Sequence, residues 1–159
     1  MEVIVSHVNL DFDGLASMVA ARKLFPHAVI VLPDKLSLGV KKFVALYKDS
    51  LRLEFPPSPV GFQPDRVVVV DANAPERLGE VARQWVQEEG VKVYVYDHHP
   101  PAKEEIRADR RLVLPVGSTT AILVEELARR SLFLSGLEAT LMALGIYEDT
   151  GHLTFSNTT

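Results

Sequence analysis

Histidine and aspartate recur at four separated points of this sequence, in combinations suited to divalent metals and phosphoryl chemistry. The first is His7, Asp11 and Asp13, within His7-Val8-Asn9-Leu10-Asp11-Phe12-Asp13-Gly14. The second is Asp71, directly after the apolar run Val67-Val68-Val69-Val70, and the third is Asp97-His98-His99, closing another apolar run. The fourth is Asp149, in Glu148-Asp149-Thr150-Gly151. Imidazole and carboxylate together suit first-row divalent ions, and this many of both is more than one ion needs. Two ions about 3.5–4 Å apart can clamp a phosphoryl group and activate a water, so the set points to hydrolysis of a phosphoester or phosphoanhydride.

Such distant residues act together only if the fold gathers them, and the pattern of elements supplies a way. Apolar runs at 2–6, 28–32, 67–70, 91–96 and 112–116 read as strands. Their near-continuous Val, Ile and Leu content is expected of a parallel sheet covered on both faces. Helical patterns at 14–25, 38–47, 75–89, 118–130 and 136–147 lie between and after them. Pro75 fits a first helical turn and Gly90 a helix end. The alternation predicts an α/β fold: an open, mostly parallel five-stranded sheet with helices on both faces and right-handed crossovers. The stretch 55–61, with Pro56, Pro57 and Pro59, reads as a loop. His7, Asp71 and the segment 97–99 then fall at the C-terminal ends of strands, beyond which open α/β sheets bind ligands. Asp149, ending a helix, can reach the same edge.

Taken singly, most of these residues have a plainer use. Asp11 and Asp13 could cap the helix that follows them. Asp71 could be an ordinary residue after a strand, and Asp149 a turn former. The adjacent His98 and His99 have no packing reason to stand together at a strand end. For all four groups to occur in this order by chance requires four coincidences, which favours a metal site. Gly117-Ser118-Thr119-Thr120 opens a helix and could present N–H groups to phosphate, but N-capping by Ser118 is the simpler reading. Arg107, Arg110 and Arg111 read as a solvated basic face, and nothing in the spacing of His152 ties it to the site.

The bulk properties narrow the class. With 159 residues the chain is one domain's worth, and at 47% hydrophobic content it can bury a sizeable core. No apolar run approaches the roughly 20 residues of a membrane span, and Met1-Glu2-Val3-Ile4-Val5 lacks the features of a signal peptide. A cytoplasmic protein with no membrane partner is expected. The absence of cysteine removes thiolate ligands and disulfides. A net charge of −4 argues against gripping nucleic acid by overall charge. Five of the 21 acids belong to the candidate site, however, so the rest is close to balanced by 17 Lys and Arg.

The four segments, in this order, resemble the motifs of the DHH phosphoesterase superfamily, over a span from His7 to Gly151. That superfamily includes single-strand exonucleases, oligoribonucleases, cyclic-dinucleotide phosphodiesterases, exopolyphosphatases and manganese-dependent inorganic pyrophosphatases. The stretch Ser6-His7-Val8-Asn9-Leu10-Asp11-Phe12-Asp13-Gly14-Leu15-Ala16-Ser17 is most similar to the N-terminal DHH domain of bacterial proteins that join it to CBS domains and a tRNA nucleotidyltransferase or poly(A) polymerase module. The resemblance implies two Mn²⁺ ions, with Mg²⁺ or Co²⁺ as alternatives. His7, Asp11 and Asp71 would hold one, and Asp13, Asp71, His98 and Asp149 the other, with Asp71 bridging. It further implies that His99 contacts substrate phosphate or assists proton transfer, while Asp97 orients the neighbouring imidazoles.

The chain departs from the superfamily at its end. Most members carry a second, smaller domain after the fourth motif, with a glycine-rich Gly-Gly-Gly-His-type segment that binds substrate, and neither it nor a CBS or nucleotidyltransferase segment is present. Residues 1–159 are therefore expected to be the metal-binding domain of a longer RNA-processing protein, whose C-terminal domains complete the site. The expected substrate is a phosphorylated small molecule or a short single-stranded nucleic acid. Two other readings stand beside hydrolysis of an oligonucleotide or cyclic nucleotide. One is a non-catalytic RNA-binding or regulatory module of a tRNA nucleotidyltransferase or poly(A) polymerase; the other is an inorganic pyrophosphatase or exopolyphosphatase.

Overall fold

Every strand of the sheet runs in one direction. The computed structural model describes residues 1–53, 62–156 and 158, so the proline-rich stretch read as a loop lies outside the described residues. The strands are β1 (Glu2–Val5), β2 (Ala28–Ile30), β3 (Arg66–Val70), β4 (Lys92–Asp97) and β5 (Arg110–Val113), in the spatial order β2-β1-β3-β4-β5. All four pairings are parallel, with Ile4 opposite both Ile30 and Val68, and Val69 opposite Val95. The expected α/β architecture is observed, and the sheet is wholly rather than mostly parallel.

Strand side chains alternate between two cores, as the period of two requires. Ile4, Val68, Val70 and Tyr94 join a cluster with helices α1 (Phe12–Leu24), α2 (Leu38–Tyr47), α4 (Thr119–Arg129) and α5 (Gly136–Asp149). Val3, Val5, Val67, Val69, Val93 and Val95 face the other way, onto Trp85 and Val86 of α3 (Glu80–Gln87) and onto Ile106. Helix α1 is the hub of the first cluster. Its run Gly14-Leu15-Ala16-Ser17-Met18-Val19-Ala20-Ala21 is buried on every side, as expected of a helix without a polar face. The small residues let neighbours approach closely. A Cβ at Gly145 of α5 would lie 2.9 Å from the Phe12 carbonyl oxygen and 3.0 Å from the Ala16 Cβ.

Two boundaries differ from expectation in ways that matter to the site. Helix α1 begins before Gly14, at Phe12, because Asp11 caps it by accepting from the Gly14 N–H at 2.9 Å. Asp13 is thereby inside the first turn and fully buried. The single helix expected over 75–89 is broken into a 3₁₀ turn, Pro75–Arg77, followed by α3. The break occurs because Leu78 and Gly79 are held extended, with His7 bridged antiparallel to Leu78 and the Val8 N–H donating to the Arg77 carbonyl at 2.8 Å.

Candidate metal centre

The strand order places the β1 and β3 C-terminal ends side by side, where successive connections leave the sheet in opposite lateral directions. In sheets of this order that is the switch point at which a crevice opens. His7 and Asp71 stand at those ends. Asp71 has φ +59°, a left-handed conformation that aspartate tolerates better than most residues, and its N–H donates to the Tyr96 carbonyl at 2.9 Å. The kink stops β3 pairing abruptly and leaves the Asp71 side chain between the histidines of the first and third segments. Its Oδ2 is 3.2 Å from His7 Nε2, and its Oδ1 is 3.7 Å from both His98 Nε2 and His99 Nδ1.

Around Asp71 the side chains form overlapping groups. His7, Asp11 and Asp71 bring donor atoms within 4.8 Å of one another, as do Asp13, His98 and Asp149, and also Asp71, His98 and His99. Within the first group, His7 Nε2 lies 3.5 Å from Asp11 Oδ1. Within the second, His98 Nε2 lies 2.9 Å from Asp149 Oδ2 and 3.9 Å from Asp13 Oδ2. The six residues expected to ligate metal thus converge on one place.

The imidazole orientations carry the most information. His7 Nδ1 is 2.8 Å from the Val8 carbonyl and His98 Nδ1 is 3.0 Å from the Val116 carbonyl. A carbonyl only accepts, so each Nδ1 carries hydrogen and each neutral ring turns a bare Nε2 inward. Both Nε2 atoms are buried, and neither finds a hydrogen-bond partner of acceptable geometry among the described residues, although carboxylate oxygens lie close. Lone pairs facing carboxylates repel unless a cation stands between them: a proton in its absence, or a metal. The donor set fits divalent metal on both counts, chemistry and orientation.

Titration behaviour in the metal-free chain follows the same logic. Burial alone would lower His7, but Asp11 and Asp71 outweigh it and push the ring up to about 10. Burial likewise opposes His98, and Asp149, the Val116 carbonyl, Asp71 and Asp13 raise it to about 9. Asp13 is held well above the usual carboxylate range by burial first and then by the charge of Asp71. Asp11 moves the other way: burial would raise it, but the close His7 ring, the Gly14 N–H bond and the charge of Arg77 bring it down.

Helix α4 braces the acids. Ser118 caps it by accepting from the Ala121 N–H at 3.1 Å, as expected. The free N–H groups of its first turn go to protein rather than to an exogenous anion: Thr119 and Thr120 each donate to Asp13, at 2.9 Å. The Thr119 hydroxyl donates to Asp71 Oδ1 at 3.0 Å. Asp97 is fully buried and takes His99 Nδ1 at 2.7 Å. It orients His99 alone, since His98 is fixed by the Val116 carbonyl. Glu148 accepts from the Phe12 N–H at 2.7 Å, tying the end of α5 to the start of α1 and so Asp149 to Asp11 and Asp13.

Thr119 and Thr120 stood out in the sequence only as part of a turn that could offer N–H groups to phosphate, and their N–H groups go to Asp13 instead; Glu148 and Arg77, which reaches His99, were not singled out. The only available signal for those two was their adjacency to Asp149 and the Asp71 loop. Arg110 lies over the Tyr94 ring, Arg111 pairs with Glu105, and His152 stacks on Tyr147. Among the described residues no helix is long and apolar enough to cross a membrane.

Comparison with known proteins agrees with this fold. The family model described as the DHH family, N-terminal domain, matches residues 2–146. An A-adding tRNA nucleotidyltransferase of Geobacter sulfurreducens is 40% identical over the full chain, which spans only 18% of that relative's length. Among solved structures, an exopolyphosphatase-related protein from Bacteroides fragilis superposes with a TM-score of 0.68 at 22% identity, covering 99% of this chain and 48% of the other. The exonuclease RecJ bound to manganese gives 0.52 at 18% identity, covering 93% and 38%.

Proposed function

The chain belongs to the DHH family, and from that premise we propose that residues 1–159 are the metal-binding domain of a longer RNA-processing protein, hydrolysing a phosphodiester or phosphoanhydride with two divalent ions. The observation that carries the reading is the pair of inward-facing, unpartnered Nε2 atoms of His7 and His98 on either side of Asp71. His7, Asp11 and Asp71 would hold one ion; Asp13, Asp71, His98 and Asp149 would hold the other. Manganese is the favoured ion, on the nitrogen and oxygen donor set and on the ion bound by the structurally similar exonuclease. When bound, such ions polarise a phosphoryl group and make water a nucleophile near neutral pH.

The chain's own residues would do the rest. The Val8 and Val116 carbonyls fix the orientation of both rings, so neither has to turn when it gives up its Nε2 proton and engages a metal. Thr119 and Thr120 hold Asp13 and Asp71 in place. His99, 31% exposed at its side chain, stands at the solvent side of the cluster on the Asp97 carboxylate, placed to meet a substrate phosphate. The substrate class favoured is a short oligonucleotide or cyclic nucleotide, acting in the cytoplasm, with C-terminal domains of the same protein completing the site. Titrating the chain and its longer parent with Mn²⁺ against a short RNA, a cyclic dinucleotide, pyrophosphate and polyphosphate tests this. Mn²⁺-dependent cleavage of the nucleotide substrates is expected, faster in the parent; none with either protein would refute it.

A second reading has a specific observation in its favour. The relative similar over the full chain is named for adding A to tRNA, which suits an RNA-binding or regulatory module. On that reading tRNA affinity would survive loss of the aspartates; on the enzymatic reading Asp71→Ala would abolish cleavage.

A further inference from the structure

The metal ligands leave one cation at the cluster unexplained. Arg77 ends the 3₁₀ turn after β3, and its Nη1 lies 3.0 Å from His99 Nε2. Its charge also bears on Asp11, on the His7 side of the cluster. The guanidinium thus touches His99 and lies within electrostatic reach of Asp11, one of the candidate ligands. Arg77 makes no ion pair among the described residues, although it borders a cluster rich in aspartate, and the one side-chain partner it has among them is the His99 ring. A guanidinium has only donors and stays charged, so most of its N–H fork is left to another acceptor.

The backbone holds Arg77 there deliberately. Its carbonyl takes the Val8 N–H at 2.8 Å, fastening it to the loop that carries His7. From α3, Arg83 donates to the Pro75 carbonyl at 3.2 Å and to the Leu78 carbonyl at 3.3 Å, clamping both ends of the turn. Asn73 donates to the Pro100 carbonyl at 2.8 Å, tying the same loop to the segment after His99. Arg77 is thus braced against the first and third motifs together, which a solvated surface arginine is not. Because Arg77 can only donate, His99 Nε2 must accept and its Nδ1 must carry the hydrogen given to Asp97. Arg77 and Asp97 hold the imidazole from opposite ends.

We propose that Arg77 is the substrate-positioning group that this domain itself supplies, gripping a phosphoryl oxygen beside His99. The inference rests on the metal-centre reading above and deepens it: the fork geometry that suits phosphate sits where an anion spanning the ions and His99 would present its oxygens. Part of the substrate site is then built into this domain rather than left to other parts of the longer protein.

The test is a titration of the chain with inorganic phosphate in excess Mg²⁺, read by calorimetry and by the Arg77 Nε–Hε NMR signal. The wild type should bind phosphate with a shift of that signal. Arg77→Gln should weaken phosphate at least tenfold and Arg77→Lys by less, while Mn²⁺ affinity of both stays within threefold. Phosphate affinity of Arg77→Gln within twofold of wild type would make Arg77 a mere strut for His99 and overturn the proposal. So would an unmoved Arg77 signal in the wild type, a readout that needs no variant to fold. Failure of the metal reading would show separately, as absence of Mn²⁺ binding by the wild type, and the Arg77 signal would still decide on phosphate.

Discussion

Mn²⁺ affinity should keep rising with pH well above the range in which an ordinary histidine titrates. In the metal-free chain burial opposes the charged rings, but the carboxylates win and place His7 at about 10 and His98 at about 9. A nitrogen must lose its proton to ligate, so binding at neutral pH displaces protons. At ~1.4 kcal/mol per pKa unit, displacement at pH 7 opposes binding by about 3 kcal/mol at His98 and about 4 kcal/mol at His7. Each displaced proton should tighten its ion about tenfold per pH unit between roughly pH 7 and 8.5. Rings at the ordinary value of 6.5 would flatten above about pH 7.5. Calorimetry in two buffers of different ionisation enthalpy counts the protons directly. Affinity that changes less than about twofold over this window, with no proton release, would refute the reasoning. The same shifts set the stability of the metal-free fold. Both rings are raised, so their contribution is fully present below pH 6.5 and is lost as pH rises through about 9 to 10. Asp13, also raised, acts in the same direction from lower pH. The midpoint in chelator should therefore fall from pH 7 to 10, and should fall much less with Mn²⁺ present.

Three further outcomes follow from particular contacts. Thr119→Val removes the hydroxyl donated to Asp71 while keeping shape, so Mn²⁺ affinity should drop about tenfold or more with the fold intact by circular dichroism; an unchanged affinity would mean that Asp71 needs no such support. Gly145→Ala drives a methyl against the Phe12 carbonyl and Ala16, at a cost of about 1–3 kcal/mol and several degrees of thermal midpoint; a midpoint unchanged within a degree would show that α1 and α5 can part freely. Asp97→Asn should leave Mn²⁺ binding nearly intact, since among the described residues the Asp97 side chain hydrogen-bonds only to His99, but should lower turnover of the longer protein by about 10-fold or more; equal loss of metal binding would place Asp97 among the ligands.

The fold was legible because both faces of its sheet are covered. Runs such as Val67–Val70 cannot be read as amphipathic, and that uniformity itself signals a parallel sheet. The convergence of His7, Asp71 and His98 followed from strand ends lying along one edge. What escaped was set by tertiary contacts. Asp13 reads as a metal ligand, but its place inside the first turn of α1, with its carboxylate held by the Thr119 and Thr120 N–H groups, was not legible. The region after Pro75 carries a helical pattern, yet pairing of Leu78 with His7 breaks it into a turn and a helix, and that break is what delivers Arg77 to the site. No local pattern encodes a partner seventy positions away. The roles of α4 and Glu148 were hidden for the same reason.

The proposed metal centre depends above all on Asp71 as the residue shared by two ions. Isothermal titration of the wild-type chain with Mn²⁺, paired with Asp71→Ala, measures this directly. Two ions per wild-type chain and loss of both in Asp71→Ala is the predicted result. One ion in the wild type, or two ions retained by Asp71→Ala, would contradict it.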